Sequence, residues 1–266
     1  MPRYALLVEY DGGGFVGWQR QETGPSVQQA LEEAAVPLAG GAVPEVVGAG
    51  RTDAGVHAEG QVAHLDLPCE IEPVRLAEAL NFYLGEARIA VRAAALVPAE
   101  FHARFSAKAR AYRYVILNRR ARPALSLGRV WHVKRPLDLA AMREAAAYLV
   151  GRHDFTSFRA AACQAASAVK TLDRLDVVRE GELVLITAEA RSFLHHQVRN
   201  MAGTLRLVGE GRLAPEDIRR ILACRDRSAA GPTAPAEGLI LSGVRYDFDP
   251  FAQAACVLSA QPRARA

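Results

Sequence analysis

The run Gly50-Arg51-Thr52-Asp53-Ala54-Gly55-Val56-His57-Ala58 places one carboxylate in a glycine-flanked loop, two residues after an arginine. Apolar extended segments lie on either side, Val46-Val47 before it and Val62, Ala63 and Leu65 after it. An acid held at a strand end by a tight turn, with a cation close by, is favoured in its ionised form and aimed in advance. A nucleophile or general base needs both properties. Asp beside Gly is also ordinary turn chemistry, and composition alone leaves the two readings open.

Three further segments carry polar groups that could do chemistry. Period-2 geometry puts Lys108, Arg110, Tyr112 and Tyr114 on one face of a strand, with Ala109, Ala111 and Val115 on the other. Cations beside an aromatic ring suit nucleic acid, because phosphates meet the cations and a base stacks on the ring. The alternative is that Tyr112 or Tyr114 fills the core. Phe101-His102-Ala103-Arg104-Phe105 adds basic and aromatic groups just upstream. A helix near His195 to Val208 places His195, Arg199 and Arg206 along one face and Val198, Met201 and Leu205 on another. Adjacent helical positions point apart, so His195-His196 is a poor metal pair, and Arg199 is read as a partner for an anion or for Asp53. Gly12, Gly14 and Gly17 spell GxGxxG after a strand, but no helix signal follows until Ser26, which argues against a dinucleotide site.

These groups need a scaffold, and the chain is long enough to build one. It has 266 residues, half of them hydrophobic, and a net charge of +4. Arginine far outnumbers lysine, which suits bidentate contact with phosphate. No apolar run approaches the ~20 residues of a membrane span. Cys69, Cys163, Cys224 and Cys256 form no CxxC pair, so neither a zinc ribbon nor a redox motif is indicated, and the cytoplasm is the expected compartment.

Alternation predicts strands at Tyr4 to Tyr10, on both sides of the Asp53 loop, at Ile89 to Val97, at Lys108 to Leu117 and at Leu239 to Tyr246. Leu172 to Val178 and Leu183 to Ala188 predict a hairpin around Glu180-Gly181. Helices are predicted after Ser26, with Gln29 completing a capping-box spacing, after Pro73, over Asp138 to Val150, near His195 to Val208 and from Pro215 to Ala223. Mixed elements in both halves predict an α+β fold with a mostly antiparallel sheet and helices packed on it. Two related split-βαβ halves of ferredoxin or RRM type, with an active-site cleft between them, are the expected arrangement. The expected domains are residues 1–105 with the Asp53 loop, 106–247 with the tyrosines and Arg199, and a partly mobile extension over 248–266.

In order along the chain, these motifs resemble the tRNA pseudouridine synthase A family. The resemblance is carried by Tyr10-Asp11-Gly12 through Phe15-x-Gly17-Trp18-Gln19, by Gly50 to His57, by Phe101 to Ser106 and by Tyr112-Arg113-Tyr114. His153-Asp154-Phe155-Thr156-x-Phe158, Phe193-Leu194-His195-His196-x-Val198-Arg199-Asn200 and Ala236-Glu237-Gly238-Leu239 complete it. It runs to about Asp247. Departures are few: Gly13 stands where many relatives have a hydroxyl residue, and Ala166 and Lys170 stand where arginine is common.

The resemblance implies isomerisation of uridine to pseudouridine at positions 38, 39 and 40 of the tRNA anticodon stem-loop. It implies no cofactor and no metal, a homodimer, and tRNA as partner. Carried over, Asp53 is catalytic, Tyr112 stacks on the target base, Arg199 pairs with the aspartate, Leu239 contacts the base and Arg51 supports the loop. Arg104, Lys108 and Arg110 are candidates for RNA contact. Two alternatives stand beside this reading: a non-catalytic RNA-binding protein, and a synthase acting on other positions or another RNA.

Overall fold

The computed structural model describes residues 1–252. The chain divides into two compact units, Met1–Lys108 together with the chain from Gly243 on, and Ala109–Ser242. Both mix strands and helices, so the α+β class holds in each.

The first unit contains β1 (Arg3–Tyr10), α1 (Val27–Ala35), β2 (Val47–Gly48), β3 (His57–Asp66), α2 (Pro73–Leu84) and β4 (Ile89–Val97). Its strands lie in the order β4-β1-β3-β2, and each neighbouring pair is antiparallel. β1 is central, and its alternation buries both faces. Tyr4, Leu6 and Val8 point one way; Ala5 and Leu7 point the other, into a cluster with Val62, Phe101 and Tyr246. Ser26 caps α1, its hydroxyl accepting the Gln29 N–H at 3.2 Å. The box is one-sided: the Gln29 amide donates to Glu33, and its oxygen does not accept the Ser26 N–H among the described residues.

Arg3 clamps this unit. Its guanidinium forks onto both oxygens of Asp66 at 2.8 and 2.7 Å and donates to the carbonyls of Ala99 and Phe101. The chain returns to this unit at Gly243. The Lys108 N–H donates to the Arg245 carbonyl, and the Tyr246 hydroxyl to the Ala103 carbonyl. The sequence-based division instead keeps 106–247 together. Of the expected extension 248–266, residues from 253 on lie outside the described residues.

The second unit contains β5 (Ala109–Leu117), β6 (Trp131–His132), α3 (Leu139–Ala147), β7 (Gly151–Asp154), β8 (Val169–Glu180), β9 (Leu183–Ala190), α4 (Gln197–Gly209), α5 (Asp217–Cys224) and most of β10 (Leu239–Arg245). Its strands run β10-β5-β9-β8-β7. The β5–β9, β8–β9 and β7–β8 pairs are antiparallel, and β6 lies parallel to β5. The predicted hairpin is present and longer than expected, turning at Gly181, whose φ of +58° suits a residue without Cβ. The predicted helix over Asp138 to Val150 is shorter, because Asp138 is its cap, accepting from the N–H groups of Ala140 and Ala141. Gly151, at φ +108°, then opens β7, an edge strand too short for its alternation to be read. Among the described residues no helix is long and apolar enough to cross a membrane.

One buried ionisable group makes the first unit sensitive to pH. His64 on β3 is buried, and its Nδ1 accepts the Ala103 N–H at 3.2 Å. Burial first, then the nearby Arg3 and His102, push its pKa down to about 4. The unfolded chain protonates near the ordinary ~6.5 while the fold still holds the ring neutral. Stability contributed by His64 is therefore lost as pH falls from about 6.5 to 4, by on the order of 2–3 kcal/mol. Urea unfolding across that range should show a shallower decline in His64→Gln, which keeps an acceptor but does not titrate. Parallel profiles would assign the acid sensitivity to other groups.

Candidate active site

The Asp53 loop joins β2 to β3 and is held from three directions. The Gln61 side chain, fully buried on β3, accepts the Gly50 N–H at 3.3 Å and donates to the Gly50 carbonyl at 2.7 Å. The Tyr10 hydroxyl at the end of β1 shares a buried 2.8 Å hydrogen bond with Thr52 Oγ1. The Thr52 carbonyl accepts the Trp18 N–H at 3.0 Å, and Gly17 and Asp53 form an antiparallel bridge. Asp53 then closes its own turn, its carbonyl accepting the Val56 N–H at 3.1 Å, with Gly55 at φ +76°. Both neighbours of Asp53 in the chain are therefore pinned or turned by backbone bonds, and Asp53 itself sits half-buried.

These contacts show what the glycine string 12–17 does. A Cβ on Gly12 would lie 2.1 Å from the Val56 carbonyl oxygen, and one on Gly17 would lie 2.6 Å from the Thr52 oxygen. Gly17 also has φ +115°. The glycines let two backbones meet at the aspartate loop; the first helix begins only at Val27, as α1. Trp18 seals the junction: its ring lies against Gly48 and 6.0 Å from the Tyr10 ring. His57 is buried at the far end of the loop. Its Nδ1 accepts the Gly12 N–H and lies 3.1 Å from an Asp11 carboxylate oxygen.

Sequence reasoning gave loop support to Arg51. That residue is exposed, and its guanidinium finds no acceptor among the described residues. Tyr10, Thr52, Gln61 and Trp18 make the supporting contacts. Tyr10 and Trp18 lay in a quoted motif without a role; Gln61 carried no signal, since a glutamine on a strand reads as an exposed residue.

In the second unit, the β5 face carrying Arg110, Tyr112 and Tyr114 is buried throughout, while the opposite face is buried at Ala109, Val115 and Leu117 and half-buried at Ala111 and Arg113. Tyr114 takes the core role. It is fully buried, donates to the Pro235 carbonyl at 2.8 Å, and fits against a Gly238 that leaves no room for a Cβ. Burial drives its hydroxyl far above the usual tyrosine range. Tyr112 keeps 8% exposure and meets Phe193 edge-on at 5.2 Å. Arg110 is buried and donates to the Arg191 carbonyl at 2.6 Å, so its guanidinium serves the fold. In the first unit, Lys108 pairs with Asp247 at 2.8 Å, and Arg104 lies 5.6 Å from the Phe105 ring centroid.

Arg199 sits in the first turn of α4. Its Nε donates to the Ala234 carbonyl at 2.9 Å, and its own carbonyl accepts the Ala234 N–H. This double tie fastens the helix to the segment that leads to Leu239, itself buried at the start of β10. The histidine pair departs from expectation. α4 begins at Gln197, so His195 and His196 precede it, and their rings lie 4.0 Å apart instead of diverging. His196 caps the helix at φ 62°, a left-handed position uncommon for any side chain but glycine.

The glycine geometry is testable. Gly14→Ala introduces only backbone strain, since φ is +92° with open space around it, and should cost about 1–2 kcal/mol. Gly17→Ala adds a clash with backbone and should cost at least ~1 kcal/mol more. Equal midpoints of urea unfolding would show that the close approach at Thr52 is not constraining.

Comparison with known proteins shows the family. The family model described as tRNA pseudouridine synthase matches residues 6–106 and 145–247. A protein of Acidiphilium cryptum named tRNA pseudouridine synthase A is 65% identical over 252 residues, covering 94% of this chain and 99% of its own. Its namesake in Rhodospirillum rubrum is 59% identical, covering 96% and 91%. That of Sinorhizobium fredii is 56% identical, covering 92% and 100%. The two matched stretches take in the Asp53 loop, Arg199 and Leu239, and the chain belongs to the tRNA pseudouridine synthase family.

Proposed function

We propose that this protein isomerises uridine to pseudouridine at positions 38, 39 and 40 of the tRNA anticodon stem-loop, with Asp53 as nucleophile or base on a flipped-out uridine. The observation that carries the reading is the immobilised loop that presents a single half-buried carboxylate. The reaction breaks the C1′–N1 bond, turns the uracil and joins C5 to C1′; the C5 hydrogen leaves as a proton and the freed N1 takes one up. Every heavy atom comes from the substrate, so no cofactor or metal is required. What the protein must supply is position and charge.

A uridine inside a stem has to leave the stack, at a few kcal/mol. Tyr112 is proposed to replace part of that stacking, worth about 1–3 kcal/mol per base. Its edge contact with Phe193 leaves the ring braced. Arg199 is proposed as the cationic complement of Asp53, and Leu239 as an apolar contact for the base. Among the RNA candidates, exposed Arg104 and Lys108 suit phosphate contact better than buried Arg110. The chain is further proposed to act as a homodimer in the cytoplasm.

Tritium release from tRNA labelled at uridine C5 tests the reaction directly. Wild type should release it, and Asp53→Ala should bind tRNA yet release none. Release by the variant at the wild-type rate would remove Asp53 from the chemistry. Mapping the modified positions then decides the site, since product outside 38 to 40 would replace the proposed target.

The Tyr10–Thr52 bond predicts a finer effect. Thr52→Val deletes a buried hydroxyl and leaves Tyr10 without that partner, worth about 1–3 kcal/mol. Loosening of the loop should lower kcat about tenfold with little change in KM, and Thr52→Ser should restore it. A Thr52→Val enzyme with unchanged kcat would show that the bond does not position Asp53.

A further inference from the structure

The motif His153-Asp154-Phe155 has no part in the site above, yet His153 and Asp154 line a groove in the second unit. The groove holds about 740 Å³, within the ~300–1,000 Å³ of small-ligand sites. Ala147, Val150, Leu222 and Ala223 give it an apolar floor, Tyr148 and His153 supply rings, and Arg219 and Arg225 supply guanidinium groups. All belong to the end of α3, to β7 and to α5 with its cap, so the groove is built within one unit.

The two arginines are held in place differently. Arg219 lies 4.3 Å from the centroid of the Tyr148 ring, whose hydroxyl is tied to Glu144 at 3.1 Å. Its guanidinium is exposed and has no hydrogen-bond or ion-pair partner among the described residues. A stacked guanidinium keeps its N–H fork in the plane of the stack, open to an anion at its edge. Arg225 reaches Asp154 at 3.2 Å from a left-handed backbone position, φ 50°, at the end of α5. Asp154 in turn accepts from the N–H and hydroxyl of Thr156. The rim therefore carries two guanidiniums against one carboxylate, and the carboxylate is already engaged.

We propose that this groove is a second RNA contact, taking a sugar–phosphate segment of tRNA outside the anticodon stem-loop. Arg219 and Arg225 would meet the phosphate, while the ribose or base rests on the apolar floor beside Tyr148 and His153. An anion with an attached apolar or aromatic body is what such a mixture of floor and rim accommodates, and a polynucleotide offers that unit at each residue. The inference rests on tRNA being the substrate, as proposed above. It assigns the groove to a part of tRNA other than the one being modified, since no groove residue belongs to the candidate site.

The test compares full-length tRNA with the isolated anticodon stem-loop, for wild type, Arg219→Ala and Arg225→Ala. Each variant should bind full-length tRNA about 3–10-fold more weakly near 0.1 M salt. The slope of log affinity against log salt should fall by about one for Arg219→Ala and by less for Arg225→Ala, whose guanidinium is paired with Asp154. Binding and turnover of the isolated stem-loop should be unchanged, which also shows that the variants are folded. Arg219→Lys should retain the salt slope but lose part of the affinity, and Tyr148→Ala should resemble it. Unchanged affinity and slope on full-length tRNA, with wild-type turnover intact, would overturn the groove alone. Equal losses on both RNAs would also overturn it, since the arginines would then act through the catalytic site or the fold. If wild type neither bound nor modified either RNA, the proposed function would fall and the groove assignment with it.

Discussion

The site depends on a backbone-to-backbone approach between Gly17 and the Thr52–Asp53 peptide. Trp18 donates to the Thr52 carbonyl, Gly17 bridges to Asp53, and no Cβ fits between them. A carboxylate on an ordinary loop samples many directions, and each unproductive one raises the barrier to attack. Here main-chain bonds fix where the Asp53 Cα–Cβ bond points, which narrows the directions open to the carboxylate. The other contacts protect that junction. Tyr10 occupies the Thr52 hydroxyl, Gln61 holds Gly50 at both its N–H and its carbonyl, and Trp18 fills the space above Gly48. Desolvated around this loop, the bonds are stronger than their exposed equivalents and cost more to leave half-made.

This constraint explains what could be read in advance and what could not. Strong alternation gave β1, β4, β5 and the β8–β9 hairpin, because burial on defined faces leaves a period-2 trace. The Ser26 cap was legible because hydroxyl capping is local in sequence. Asp53 was visible because its loop is one contiguous run. Its supports were not. Tyr10 and Trp18 reach Thr52 from 42 and 34 residues away and Gln61 reaches Gly50 from 11, and contacts of this kind leave no periodic signal. The strand β5 was read correctly, but both its faces are largely buried, and which side chains fill the core is decided by what packs on them. Arg110 therefore came out committed to a carbonyl, and Tyr114 took the core. The histidine pair failed for a related reason: the start of α4 is set by a left-handed residue, His196, which no propensity scale favours there.

Arginine shows most clearly the limit of reading charge from composition. The chain has a net charge of only +4, yet its guanidiniums fall into two populations. One is structural. Arg3 holds β3 and the 99–101 segment, Arg110 bonds a carbonyl beside β9, Arg143 reaches the Val177 carbonyl, and Arg227 ties Asn200, Gly231 and Thr233 together. Arg3 and Arg227 satisfy several oxygens at once, and Arg110 and Arg143 each hold a carbonyl. They add to the formal charge while their donors serve the fold.

The second population is exposed and has no hydrogen-bond or ion-pair acceptor among the described residues, and Arg51 and Arg219 belong to it. An unpaired guanidinium keeps its full hydration and counterion interaction until a phosphate arrives, so binding there releases counterions and depends on salt. A paired one exchanges a protein acceptor for a phosphate and gains less. RNA affinity should thus be governed by the few uncommitted arginines and not by net charge. That makes salt dependence, measured arginine by arginine, a better map of the RNA path than any electrostatic total. Arg51 stands two residues from the carboxylate, exposed, with no hydrogen-bond or ion-pair partner among the described residues.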